Sequence, residues 1–184
     1  MSWTLPPPGV EIVLIVLVLA AAIYDVRYRR IPNWVSVSGA LIGVALNSFL
    51  YPGVPGLIFA LKGLALGFCM YFLLYALHAM GAGDVKLMGA AGSLVGWQDW
   101  FGIFLITAIL GGIMSVLVVL LRKRFKKTLW NIGYIVGEMK SGRAAFVSRE
   151  ELDVKSPQAM GLPHGAVIAI GTIFFLALSA HFVH

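Results

Sequence analysis

Apolar residues in this chain come in long unbroken runs rather than in alternation or in narrow stripes. Six runs can be marked, at 10–24, 34–51, 57–80, 85–96, 100–121 and 162–183. A helix that is apolar all round belongs in a core or a bilayer, and about 20 such residues span the hydrocarbon. The pattern predicts an all-α integral membrane protein of six transmembrane helices, forming one polytopic domain over 1–184 with a polar loop at 122–161. The fourth run is the shortest. A re-entrant path there would carry Arg122, Lys123, Arg124, Lys126 and Lys127 away from the other basic residues. It is therefore read as a short spanning helix, accommodated by local thinning or snorkelling. Gly/Pro clusters at 52–56 and 81–83 predict turns.

Composition supports a membrane protein. The chain is 60% hydrophobic and 12% charged, with mean hydropathy +0.91, where soluble domains carry about 25% charged residues. That excludes an ordinary soluble globule and a disordered chain. Cys69 is the only cysteine, which excludes an internal disulfide or a multi-cysteine zinc site. The four histidines are scattered, so no metal and no cofactor is expected. With the N-terminus outside and six spans, thirteen of the fourteen Lys and Arg fall on one side, Lys62 being the exception. The positive-inside rule makes that side the cytoplasm, so the net charge of +6 reflects loops rather than nucleic-acid binding. No Lys or Arg precedes Arg27, so the first run reads as a retained helix and not a cleaved signal. In the loop, Phe125, Leu129, Ile132, Val136 and Met139 recur at helical spacing, which predicts an amphipathic helix lying against anionic lipid headgroups.

Of eight acids, Glu138, Glu150, Glu151 and Asp153 lie in the polar loop, and Glu11 and Asp99 near the outer surface. Asp25 and Asp84 remain, at matched depth on the cytoplasmic edge, one ending the first helix and one beginning the fourth. Two carboxylates sharing one proton can activate a water and protonate a leaving amine. Gly81 and Gly83 let a second chain approach Asp84, and Pro32 suits the start of the second helix. Lys86 is suited to neutralise a substrate carboxylate or steady the pair. Helix polarity favours Asp84, at an N-terminus, as the water-activating anion and Asp25, at a C-terminus, as the proton carrier. Cys69 reads as a buried thiol, Met70, Met80 and Met88 as packing, His78 as an interhelical partner, and Trp97 and Trp100 as interface anchors. Two competing readings are a small ion-coupled transporter, which predicts acids near the midplane, and a non-enzymatic assembly factor of a pilus or secretion machine.

The stretch Asp25-Val26-Arg27-Tyr28-Arg29-Arg30-Ile31-Pro32-Asn33 resembles the first aspartate motif of the type IV prepilin peptidases. Gly81-Ala82-Gly83-Asp84-Val85-Lys86-Leu87 resembles their GxGD motif, and Pro163-His164-Gly165-Ala166, leading to Gly171, the small-residue stretch of their last helix. The resemblance implies an aspartic endopeptidase of the bacterial inner membrane with Asp25 and Asp84 as catalytic residues. Arg27, Pro32, Asn33, Gly81, Gly83 and Lys86 become candidate substrate-binding or dyad-supporting positions. The implied substrate is a prepilin or pseudopilin, whose basic leader is removed at the cytoplasmic face; membrane lipids and pilus or secretion machinery are the implied surroundings. Larger members carry a four-cysteine domain between the first two helices and also N-methylate the new terminus with S-adenosylmethionine. The short connection and lone cysteine here resemble the compact, peptidase-only branch associated with Flp/Tad-type pili.

Overall fold

The computed structural model describes residues 6–51, 54–77, 80–121, 130, 133–134, 137 and 163–183. They form α1 (Pro8–Tyr28), α2 (Asn33–Leu50), α3 (Val54–Ala76), α4 (Ala82–Leu121) and α5 (His164–Val183), with no strand among the described residues. All five helices are long and apolar enough to cross a membrane. Six apolar runs thus become five helices, because the fourth and fifth runs join across Gly96. Of the expected amphipathic segment, Phe125, Leu129, Ile132, Val136 and Met139 lie outside the described residues, as does His78.

α4 is not straight. Gly96 has φ 74° and ψ −178°, a backbone conformation open to glycine and strained for other residues. Beyond it the chain folds back, as one hydrogen bond requires: Trp100 Nε1 donates to the Met88 carbonyl at 3.0 Å. Twelve residues of unbroken helix would hold those positions about 18 Å apart, beyond the reach of an indole. α4 is therefore a helical hairpin with arms at 82–95 and 97–121. The first arm is only about 21 Å long at 1.5 Å per residue. From 84 to 96 every residue except Lys86 is buried, so protein rather than lipid surrounds this arm. Its length need not match the bilayer, and neither thinning nor snorkelling is required to explain it.

Small residues allow this burial. The amide planes of α3 and the first arm meet where Gly63 faces Gly92: a Cβ on either would overlap the other's carbonyl oxygen. One turn along, a Cβ on Gly67 would overlap the Met88 carbonyl. On the other flank α2 supplies Asn47, which is 1% exposed. Its Nδ2 lies 2.8 Å from the Ser93 carbonyl, 2.9 Å from that of Leu94 and 3.1 Å from that of Gly43. The break at Gly96 deprives Ser93 and Leu94 of the amides that a continuing helix would offer, so Asn47 caps the first arm from a neighbouring helix.

Two expectations are corrected. Trp100 is not an interface anchor. It is 0% exposed and stacked on Phe104 with ring centroids 5.5 Å apart, because the hairpin turns it inward, while Trp97 remains exposed. Cys69 is exposed rather than buried, since the glycine stripe of α3 faces α4 and Cys69 falls off that stripe.

Replacing Asn47 with Ala leaves the Ser93 and Leu94 carbonyls without their donor. The expected loss is about 1–3 kcal/mol, the cost of an unmet buried polar group. Unfolding titrations of the purified protein in mixed micelles measure it, with Ser38→Ala, whose hydroxyl bonds back to the Val35 carbonyl of its own helix, as the near-neutral control.

Candidate active site

Asp25 occupies the last position of the buried stripe of α1, which runs through Val10, Leu14, Leu17, Val18 and Ala21. The helix does not end there, as the sequence suggested. It continues to Tyr28 and is closed by Arg29 in the left-handed region at φ 54°, whose amide donates to the Asp25 carbonyl at 2.9 Å. The side chain is thereby held within the helix, 9% exposed. It meets α5 end-on: the Gly165 amide donates to Asp25 Oδ2 at 2.7 Å. A residue without a side chain suits this approach, since a Cβ on Gly165 would lie 3.0 Å from Asp25 Cβ and 3.1 Å from Oδ2, tighter than ordinary contact.

Asp84 lies in the first turn of α4 and is 7% exposed. Its Oδ2 accepts from the Gly81 amide at 3.2 Å, and its own amide donates to the Gly81 carbonyl at 3.2 Å. The side-chain bond from the third helical position back to the cap amide is one half of a capping box; the Gly81 carbonyl takes the place of the cap side chain in the other half. Gly81 thus holds the Asp84 carboxylate through its backbone.

The two acids come together at the start of α5. Gly165 bonds Asp25, and its neighbour His164 interacts electrostatically with Asp84, as does Asp25 itself. Ile31 packs beside both. A Cβ on Gly83 would stand 3.1 Å from Ile31 Cβ, and one on Gly165 3.2 Å from Ile31 Cδ1. One side chain from the α1–α2 connection therefore packs against both glycines that flank the carboxylates. The helix-polarity contrast drawn from sequence is offset, because Asp25, in the last turn of α1, also meets the N-terminus of α5.

The remaining candidates divide. Lys86 is exposed and donates to Asn33 Oδ1 at 2.8 Å, tying the first arm of α4 to the start of α2; two residues along a helix from Asp84, it faces away from the dyad. Arg27 likewise turns from Asp25, its guanidinium 5.7 Å from the centre of the Tyr28 ring. Pro32 is the residue before α2 rather than its first, and its carbonyl accepts from Val35 N at 3.1 Å. The amide of Gly165 was not legible as a partner of Asp25. The proline and glycine opening the last apolar run were the available signal, since they mark a helix start whose free amides suit a carboxylate.

A protein-family model described as the type IV leader peptidase family matches residues 12–116. A prepilin leader peptidase/N-methyltransferase of Myxococcus xanthus (strain DK1622) is 28% identical over 116 residues, covering 59% of this chain and 34% of the relative. The chain therefore spans about a third of that relative's length. No solved structure matches it. More than half of the sequence falls within the family match, including Asp25, Asp84 and most of the α4 hairpin: the chain belongs to the type IV leader peptidase family.

Proposed function

We propose that this chain is an aspartic endopeptidase that removes the basic leader of a prepilin or pseudopilin, with Asp25 and Asp84 as its catalytic pair. The observation that carries this reading is the convergence of two buried carboxylates, each held by a backbone amide, at the start of α5. One carboxylate takes a proton from water as the oxygen attacks the scissile carbonyl carbon. The other, as the acid, protonates the carbonyl oxygen. Transfer of a proton to the amide nitrogen then breaks the C–N bond, leaving a carboxylate on the leader and a free amine on the mature protein. Neither step needs a group that these residues do not supply.

The proposed topology has six spans, counting each arm of α4, with the N-terminus outside and the basic residues in the cytoplasm. Asp25 lies one turn from the end of α1 and Asp84 in the first turn of α4, so both sit at one edge of the bundle. A leader emerging from the cytoplasm reaches them there, just before the apolar pilin helix enters the bilayer. The same placement disfavours an ion-coupled transporter, whose acids belong near the midplane. The setting is the bacterial inner membrane. Anionic lipid headgroups are the proposed surface for the loop at 122–161, and pilus or secretion machinery receives the product.

We also propose cleavage without N-methylation. The connection between α1 and α2 holds only residues 29–32, which leaves no room for an inserted domain at that point, and Cys69 is the only cysteine.

Co-expression with the cognate prepilin tests the reading. Asp25→Asn and Asp84→Asn keep side-chain size and remove the titrating group, so each is expected to abolish the gel shift of leader removal at normal protein level. Substantial cleavage by either variant would sink the dyad. Gly165→Ala, whose Cβ would press on Asp25 and Ile31 by a few tenths of an ångström, is expected to slow cleavage by up to about tenfold, since small misplacements of a catalytic group are costly. Gly9→Ala, where a Cβ meets nothing within 4 Å, should cleave normally. Mass spectrometry of pilin matured by this enzyme alone should find a free amine; a methylated terminus that depends on this chain would overturn the second proposal.

A further inference from the structure

One buried side chain beside the dyad has no assigned part. Tyr71 of α3 is 1% exposed, and among the described residues its hydroxyl has no hydrogen-bond partner. A buried tyrosine ring usually finds a partner for its hydroxyl, so the position calls for an explanation.

The register of the α3–α4 contact provides one. Gly63 meets Gly92, and four residues later Gly67 meets Met88. The two helices run antiparallel along this contact, so each step of four up α3 is a step of four down α4. The next step pairs residue 71 with residue 84. Glycine gives way to tyrosine at the level where glycine against backbone gives way to a carboxylate. The phenol and the Asp84 carboxylate interact electrostatically, as this register requires.

The ring is held on its other sides. Tyr71 lies edge-on to Trp100, with centroids 6.3 Å apart at 77°, and edge-on to Phe104, at 6.0 Å and 78°. Trp100 and Phe104 are themselves stacked, and the indole is fixed by its bond to the Met88 carbonyl. Edge-to-face contacts of this kind are favourable and directional. The α4 hairpin therefore builds a socket from its second arm that aims one phenol at the acid carried by its first arm. Asp84 Oδ2 is already occupied by the Gly81 amide, which leaves Oδ1 to receive a second donor.

We propose that Tyr71 is a positioning residue of the peptidase: in the working enzyme its hydroxyl donates to Asp84 Oδ1 and, with the Gly81 amide, fixes the plane of the carboxylate. This inference rests on the leader-peptidase reading. Hydrogen bonds to catalytic groups are often long in the resting enzyme and tighten with substrate bound; the phenol already acts on the carboxylate before substrate arrives. A fixed plane matters for the proton transfers and not for holding the leader, so its loss should fall on turnover.

Tyr71→Phe keeps the ring and its socket and removes only the hydroxyl. In a detergent or nanodisc assay with purified prepilin, kcat is expected to fall by about tenfold to a hundredfold, with KM within about twofold of wild type, as for an interaction that acts on the transition state. The thermal midpoint should not move. Infrared difference spectra without substrate give a second readout: the carboxyl band that Asp84→Asn removes should be displaced in Tyr71→Phe. A wild-type kcat, an undisplaced band, or a raised KM at unchanged kcat would each overturn the proposal. Wild-type protein that leaves prepilin uncut would overturn the leader-peptidase reading instead, and the infrared comparison would still decide the contact between Tyr71 and Asp84.

Discussion

The close approach of α3 to the first arm of α4 is the constraint on which the site depends. Gly63 and Gly92 bring two helix backbones together so tightly that neither can carry a side chain. In a bilayer, lipid tails are as apolar as leucine, so helix association is driven by van der Waals packing and interhelical hydrogen bonds more than by escape from water. Small residues supply the first and Asn47 the second. Together they bury a short arm among longer helices and set its depth. Asp84 stands at the start of that arm, so the packing that fixes the arm also fixes the acid.

The second acid is placed by a different device. Asp25 continues the buried face of α1 one step beyond its apolar members, and α5 meets it with a helix start. His164 interacts electrostatically with Asp84 and Gly165 bonds Asp25, so one turn of α5 addresses both carboxylates. Ile31, pressed between Gly83 and Gly165, keeps the three elements at a common level. The pair is thus assembled at the ends of three helices distant in sequence, with Asp25 held by the backbone of α5 and Asp84 by the turn that opens its own helix.

Much of this was legible in the sequence. Unbroken apolar runs mark the helices because burial in lipid requires it, and the two aspartates stand out because an acid at a membrane edge needs a partner or a task. The fold-back at Gly96 was less visible. A glycine among apolar residues reads as packing, and the reversal is specified by the Trp100–Met88 bond and by the Asn47 cap, neither of which has a local signature. For the same reason Trp100 looked like an interface residue. Lys86 and Arg27 are neighbours of the aspartates in sequence, but two positions along a helix point away, and their contacts are with Asn33 and Tyr28 instead. Tyr71 was missed because its meaning lies in register: only the four-residue spacing Gly63, Gly67, Tyr71 could have suggested it, and only with its partner helix known.

The central claim is that Asp25 and Asp84 act as a pair on water, without a covalent intermediate on either. Single-turnover cleavage of prepilin in water enriched in oxygen-18 tests it most directly. Direct attack by water predicts one labelled oxygen in the new carboxylate of the released leader, and none in the peptides that carry Asp25 and Asp84. Label appearing in either aspartate after one turnover would show that its carboxylate had attacked the substrate itself, and would contradict the account.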